Sequence, residues 1–259
     1  MVSGVFLLRQ SSGLLVLYGL LLALLGWAGA AALISDPFML PSPQMVIFRL
    51  IQDLSTPLLW HSIGQTALEA CLGCLLGAVI AIPLAYLFFK SRIIAGVLSP
   101  SLAASQAIPA VALAPLLVLW VGYGLLPIVL LCALIVFFPI LVSTLSGLKN
   151  LDEDIISAAR LDGAGGWRLW KDIEFPLTMP SVFAGLRSGF TLSITGAVVG
   201  EFVMGGSGLG SRLSAQANVV DVSGLFGTIL VLCILAATLY GSLVLLENQS
   251  PTVRAIRTK

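Results

Sequence analysis

Charge is what this chain has least of. Asp, Glu, Lys and Arg make up 10% of its 259 residues and hydrophobic side chains 58%, whereas a water-soluble domain carries roughly 25% charged residues. With a mean hydropathy of +1.07, the polar side chains are too few to cover a water-facing surface, so the chain is expected to be an integral membrane protein. A formal net charge of +1 removes the electrostatic footprint of a nucleic-acid binder. Histidine occurs once, at His61, which suits an interfacial or structural residue. Cys71, Cys74, Cys132 and Cys233 all sit in apolar runs, with no second Cys-x2-Cys pair. They read as small apolar packers, not as metal or redox ligands. No G-x-x-x-x-G-K-S/T stretch occurs, and Gly205-Gly206-Ser207-Gly208 lacks the lysine, which excludes ATP binding through a phosphate loop. No Ser/His/Asp or Cys/His set is present. The chain is therefore expected to be a conduit and not an enzyme, with no cofactor or metal of its own.

What is present in abundance is apolar sequence. A bilayer core needs about 20 apolar residues per helix, and six runs meet that length: Leu14–Ile34, Ser62–Phe89, Val97–Val121, Leu125–Gly147, Val182–Met204 and Gly224–Leu246. The first follows Arg9 and ends in small residues, as a signal peptide does. Its length exceeds the roughly 7–15 residues of a signal core, which favours a retained helix. Basic residues set the direction. With the N-terminus in the cytoplasm, Arg9, Lys90, Arg92, Lys149, Arg160, Arg168, Lys171, Arg187, Arg254, Arg257 and Lys259 all lie on the inner side or at its edge, and only Arg49 and Arg212 lie outside. Both termini are thus expected in the cytoplasm. Pro83, Pro109, Pro115, Pro127 and Pro139 interrupt the spans, as neighbouring helices or a polar path permit. The pairs Gly73-x3-Gly77 and Gly185-x3-Gly189 allow helices to approach closely.

One long polar block, about Lys149 to Pro180, breaks the apolar pattern. The spacing predicts a short amphipathic helix over Leu151 to Asp162, with Asp152, Glu153 and Asp154 in its first turn, where the helix dipole favours acids. Gly163, Gly165 and Gly166 then supply a turn open to left-handed backbone angles. A second short helix is expected from Trp167 to Asp172, with Pro176 and Pro180 closing the loop. Within it, Ser157-Ala158-Ala159 is separated by three residues from Gly163, which is separated by nine from Ile173, and one further residue precedes Phe175-Pro176.

This spacing resembles E-A-A-x3-G-x9-I-x-L-P, the signature loop of membrane subunits of ATP-binding-cassette (ABC) importers, departing from it at Ser157 and Phe175. Trp60 to Leu246 resembles the nitrate, taurine, alkanesulfonate and thiamine-pyrimidine permease family. The shared features are Ser105-Gln106-Ala107-Ile108-Pro109 through Pro115 and Trp120, and Glu201-Phe202 followed by Gly208-Leu209-Gly210. Val121–Pro127 and Phe137–Pro139 are most similar to the thiamine-pyrimidine branch.

The resemblance implies an all-α membrane protein of about six spans with the type I importer permease fold. It would form a single domain over 1–259, with its core at 60–247 and its loop at about 149–180. The loop would be a cytoplasmic coupling helix that docks in a groove of a partner ATPase through Ser157, Ala158, Ala159, Asp162, Gly163, Trp167, Ile173 and Pro176. An ordinary loop lying on lipid, anchored by Trp167 and Trp170, is the plainer reading. Ser157 stands where the family has an acid, and Glu153, one helical turn earlier, is the candidate to present a carboxylate instead. The partners implied are two copies of the ATPase, which hold ATP and Mg, an extracytoplasmic substrate-binding protein, a second copy of this permease, and membrane lipid in a bacterial inner membrane. An ion-coupled secondary transporter is the alternative of another class, but it would show inverted repeats, and none is visible.

Glu69 and Glu201 are the carboxylates inside the expected spans, and no Lys or Arg sits mid-span. Intramembrane acids are costly and usually functional. Glu69, Gln106, Ser193 and Glu201 are therefore candidates for the substrate path. They suit a neutral or cationic organic solute, such as a thiamine-pyrimidine precursor, better than a sulfonate, taurine or nitrate. A structural role, in which the two acids cap helices or brace packing, stands beside that reading.

Overall fold

The computed structural model describes residues 3–105, 107–250 and 254; Gln106 lies outside the described residues. All regular elements among the described residues are helical. They are α1 (Ser3–Ile34), α2 (Pro43–Leu54), α3 (Pro57–Lys90), α4 (Arg92–Ser105), α5 (Ala110–Val121), α6 (Leu125–Lys149), α7 (Glu153–Leu161), α8 (Gly166–Leu169), a π-helical segment at Trp170–Glu174, α9 (Phe175–Met204), α10 (Leu209–Asn218) and α11 (Val222–Gln249). The helices containing Pro57–Lys90, Leu125–Lys149, Gly166–Met204 and Val222–Gln249 are long and apolar enough to cross a membrane, and Tyr18–Ile34 and Ala110–Val121 are shorter apolar helices.

Two sequence expectations are corrected. The third span, expected as one run over Val97–Val121, is two helices, α4 and α5. Pro109 holds extended angles (φ −62°, ψ 121°) at the start of α5, and a proline also disfavours the helical conformation of the residue before it. Hydropathy joins what the backbone divides. In the fifth span, Pro176 and Pro180 do not end the loop. Pro176 lies in the first turn of α9 and Pro180 lies inside it. A first-turn proline loses no intrahelical bond.

The chain divides into two compact units, residues up to Leu59 with Leu213–Leu230, and Trp60–Arg212 with Val231 onward. In the first unit, Trp27 stacks on Phe226 at 5.6 Å and its Nε1 donates to the Pro41 carbonyl at 3.0 Å. Arg49 Nη2 pairs with Asp221 Oδ2 at 2.8 Å. Ser42 caps α2, its hydroxyl accepting from Met45 N.

The second unit is built around α6. The two glycine pairs both face it. A Cβ added at Gly73 would crowd Cys132 and lie 3.2 Å from the Val129 carbonyl, and one at Gly185 would lie 3.2 Å from Ile140 Cα. The glycines thus set how closely α3 and α9 approach α6, as small residues do between membrane helices. Ala70, Leu131, Cys132 and Ala197 belong to one buried cluster, and Cys74, Ala81, Val136 and Ile140 to another.

Candidate functional site

The polar block folds as helix, turn and helix. Asp152 caps α7, accepting from Asp154 N at 2.9 Å, with Glu153 and Asp154 in the first turn. At the other end Gly163 takes φ +84°, and an added Cβ there would meet nothing within 4 Å. The requirement for glycine is therefore one of backbone angle and not of space. Gly166 is also left-handed, at φ +53°, whereas Gly165 is extended. Ser157, Ala158, Asp162 and Gly163 are exposed, Ala159 is buried, and Ile173 and Pro176 are half-buried. Two large apolar side chains stand out from the loop: Leu161 is 89% exposed and Trp167 is 69% exposed. Burying them against a partner would be favourable.

The second short helix ends at Leu169 and gives way to the π segment Trp170–Glu174, where sequence reading predicted a helix through Asp172. Glu174 ends that segment and is 1% exposed. Its Oε1 accepts from Lys90 Nζ at 2.7 Å and its Oε2 from Tyr86 Oη at 3.1 Å. Trp170 lies 5.7 Å edge-on to Tyr86, 4.3 Å from Trp167 and 5.3 Å from Phe175. The aromatic ring at position 175 thus fills a place built by other aromatics. Ser157, Glu153, Arg160, Lys90 and Glu174 line one groove of about 400 Å³. Glu153 is exposed in that groove, and the buried carboxylate on the loop is Glu174.

Of the four candidate path residues, the structure brings Glu69, Ser193 and Glu201 into one buried region. Glu201, on α9, accepts from a hydroxyl and from backbone amides. Thr66 Oγ1 donates to its Oε1 at 2.6 Å, and Gly210 N and Ser211 N donate to its Oε2 at 2.6 and 3.3 Å. Thr66 Oγ1 in turn accepts from Leu209 N at 2.8 Å. The carboxylate thereby satisfies the free amides at the start of α10. A Cβ at Gly208 would fall on the Glu201 carboxyl group, which explains why the acid and the glycine-rich loop occur together in the sequence. Glu69 Oε1 accepts from Gln65 Nε2 at 2.8 Å, and its Oε2 has no hydrogen-bond donor among the described residues. Ser193 Oγ donates to the Ala70 carbonyl at 2.7 Å. Arg187, the basic residue nearest to mid-span, is paired with the buried Glu247.

Sequence reading missed the Lys90–Glu174 and Arg187–Glu247 pairs. The signal available was slight: in each, a base and an acid sit near the ends of different apolar runs.

Residues 73–254 match the family described as the binding-protein-dependent transport system inner membrane component. The chain belongs to that family. This permease is 42% identical over 230 residues to the riboflavin transport system permease protein RibX of Chloroflexus aurantiacus, covering 88% of this chain and 86% of that one. It is 35% identical to the formylaminopyrimidine transport permease protein ThiX of Halalkalibacterium halodurans, covering 86% and 88%. Its fold is similar to an inward-facing structure of the MetNI methionine ABC transporter, with a TM-score of 0.66, 18% identity, and coverage of 77% of this chain and 96% of that one. The permease is thus the transmembrane subunit of an ABC importer with the type I fold, and ATP hydrolysis belongs to a separate chain. Membership of this family replaces the ion-coupled alternative. The expected set of several membrane-crossing helices and a partner ATPase and binding protein holds.

Proposed function

We propose that this permease carries a flat nitrogen heterocycle, neutral or cationic, that a binding protein delivers. The observation that carries this reading is the pair of relatives at 42% and 35% identity, one named for riboflavin and one for formylaminopyrimidine. Both of those solutes contain a planar nitrogen ring system that hydrogen-bonds along its edges. The sequence has no Lys or Arg in the middle of a span, which supports the same class, because a fixed positive group is what an anion would require. Uptake of labelled riboflavin, formylaminopyrimidine and taurine into cells expressing the whole importer tests it. Transport of either heterocycle in preference to taurine is the expected result, and preferential transport of taurine defeats the substrate reading.

In this proposal two copies of the permease pair with two ATPase subunits. Ser157, Ala158, Ala159, Asp162, Gly163, Trp167, Ile173 and Pro176 form the coupling loop, with Leu161 and Trp167 as its apolar contacts. ATP-driven movement of the loop rocks the helices between outward-open and inward-open states, a two-state bundle biased at a distance. Both termini and the loop face the cytoplasm. In a cysteine-free background, a membrane-impermeant thiol reagent applied from outside should label Ser207→Cys and spare Gly165→Cys. The reverse pattern would overturn the orientation and the placement of the ATPase with it.

A further inference from the structure

We propose that Glu174, clamped by Lys90 and Tyr86, is the positioning residue that ties the coupling loop to the end of α3. The inference rests on the reading of the loop as the ATPase contact. It is carried by geometry that the loop motif does not describe. Glu174 is the last residue of the π segment, at the point where the loop becomes α9. Single-turn π segments mark functional sites more often than plain helix does. Its carboxylate is buried, and both oxygens are committed to residues 84 and 88 positions earlier in the chain. Its own backbone carbonyl accepts from Thr178 Oγ1 at 2.7 Å, which ties the same residue into the first turns of α9. Lys90 is the last residue of α3, and its ammonium also lies 5.3 Å from the ring centres of Tyr86 and Phe89. One carboxylate thus joins the loop, α9 and α3.

The alternative anchors are weaker. Ser157 faces the same groove with a neutral hydroxyl, and Glu153 and Arg160 are exposed there. A salt bridge between exposed groups contributes little to holding a geometry, whereas a carboxylate that is itself buried loses its compensation when a partner is removed. When the loop is displaced by a bound ATPase, the clamp obliges α3 to follow. Without it, the loop can move and leave α3 behind.

The test uses the complete importer reconstituted in liposomes, with uptake per ATP hydrolysed as the readout and ATPase co-purification as the control. Glu174→Gln keeps the shape and removes the charge. The expected result is an ATPase that still co-purifies and still hydrolyses ATP, with uptake per ATP lowered about tenfold. Tyr86→Phe keeps the ring packing and removes one hydrogen bond, for a loss of about threefold; it decides the question if Glu174→Gln does not fold. Exchanging the pair (Lys90→Glu with Glu174→Lys) should recover coupling that either single change loses. Unchanged uptake per ATP in both Glu174→Gln and Tyr86→Phe overturns the clamp. A wild-type chain that fails to retain the ATPase through this loop overturns the docking reading instead, so the two failures are told apart.

Discussion

Two of the carboxylates that the chain buries, Glu174 and Glu201, are held in different ways. Glu174 meets a lysine and a phenol, and the lysine is 39% exposed. Glu201 meets the Thr66 hydroxyl and the amides at the start of α10. A charge pair at a half-exposed edge can pivot while it stays closed, because the lysine's flexible stem follows the carboxylate and water solvates its remaining donors. A carboxylate satisfied by backbone amides leaves those amides unpaired in an apolar interior when it moves. The first arrangement suits a joint and the second suits a fixed corner. On the proposed reading the same residue type serves transmission at the loop and immobility at the Glu201 end of α9.

The largest effect is expected at the fixed corner. Glu201→Ala leaves Thr66 Oγ1, Gly210 N and Ser211 N without their acceptor, and should destabilise the permease by about 3 kcal/mol. Thermal unfolding in detergent, or the yield of folded protein, measures it. Gly208→Ala reaches the same corner from the other side, because its Cβ would occupy the carboxylate's place, and should also destabilise. If both variants match wild type in melting temperature, the corner is not fixed and the contrast with Glu174 fails.

A smaller and more selective effect is expected at Gly163. Open space surrounds its missing Cβ, so substitution costs only the left-handed backbone angle, about 1–2 kcal/mol for a non-glycine residue. Gly163→Val should lower substrate-stimulated ATP hydrolysis about tenfold while the protein remains folded. Asparagine tolerates this region best among other residues, so Gly163→Asn should retain more activity than Gly163→Val. Equal activity of the two would show that the angle at this turn does not govern the loop.

The sequence disclosed the turn more fully than it disclosed the brace behind it. Gly163 is legible because its offset from Ala158-Ala159 and Pro176 is fixed, and because a left-handed turn has one preferred residue. Glu174 is not legible, because it is one acid among Asp152, Glu153, Asp154, Asp162 and Asp172 in a block that reads as solvated. Its burial follows from the π segment, which turns it towards Lys90 from another span. The broken third span was hidden for a related reason: hydropathy averages over Pro109 and does not register the extended angles there. The glycine stripes facing α6 were readable because close approach between helices leaves a spacing of four in the sequence. The joint role of Glu201 and Gly208 was written as neighbouring motifs, and only the carboxylate's position against the loop explains their association.

The smallest expected effect sharpens the contrast between structural and transport roles for the acids. Glu69 lies beside the fixed corner, and its Oε2 has no hydrogen-bond donor among the described residues. Glu69→Gln preserves size, and its amide oxygen can still accept from Gln65 Nε2, so folding and ATPase assembly should be unchanged. What changes is the negative potential in that part of the bundle, which favours a cationic or hydrogen-bond-donating solute over an anion. Uptake of the heterocycle should slow about threefold, equivalent to roughly 0.6 kcal/mol, with the ATPase still bound. The double variant Glu69→Gln with Glu201→Gln should transport no better than the single one. Normal uptake by the double variant would assign both acids to packing. A rise in uptake on removing the charge of Glu69 would mean that the permeating solute is an anion.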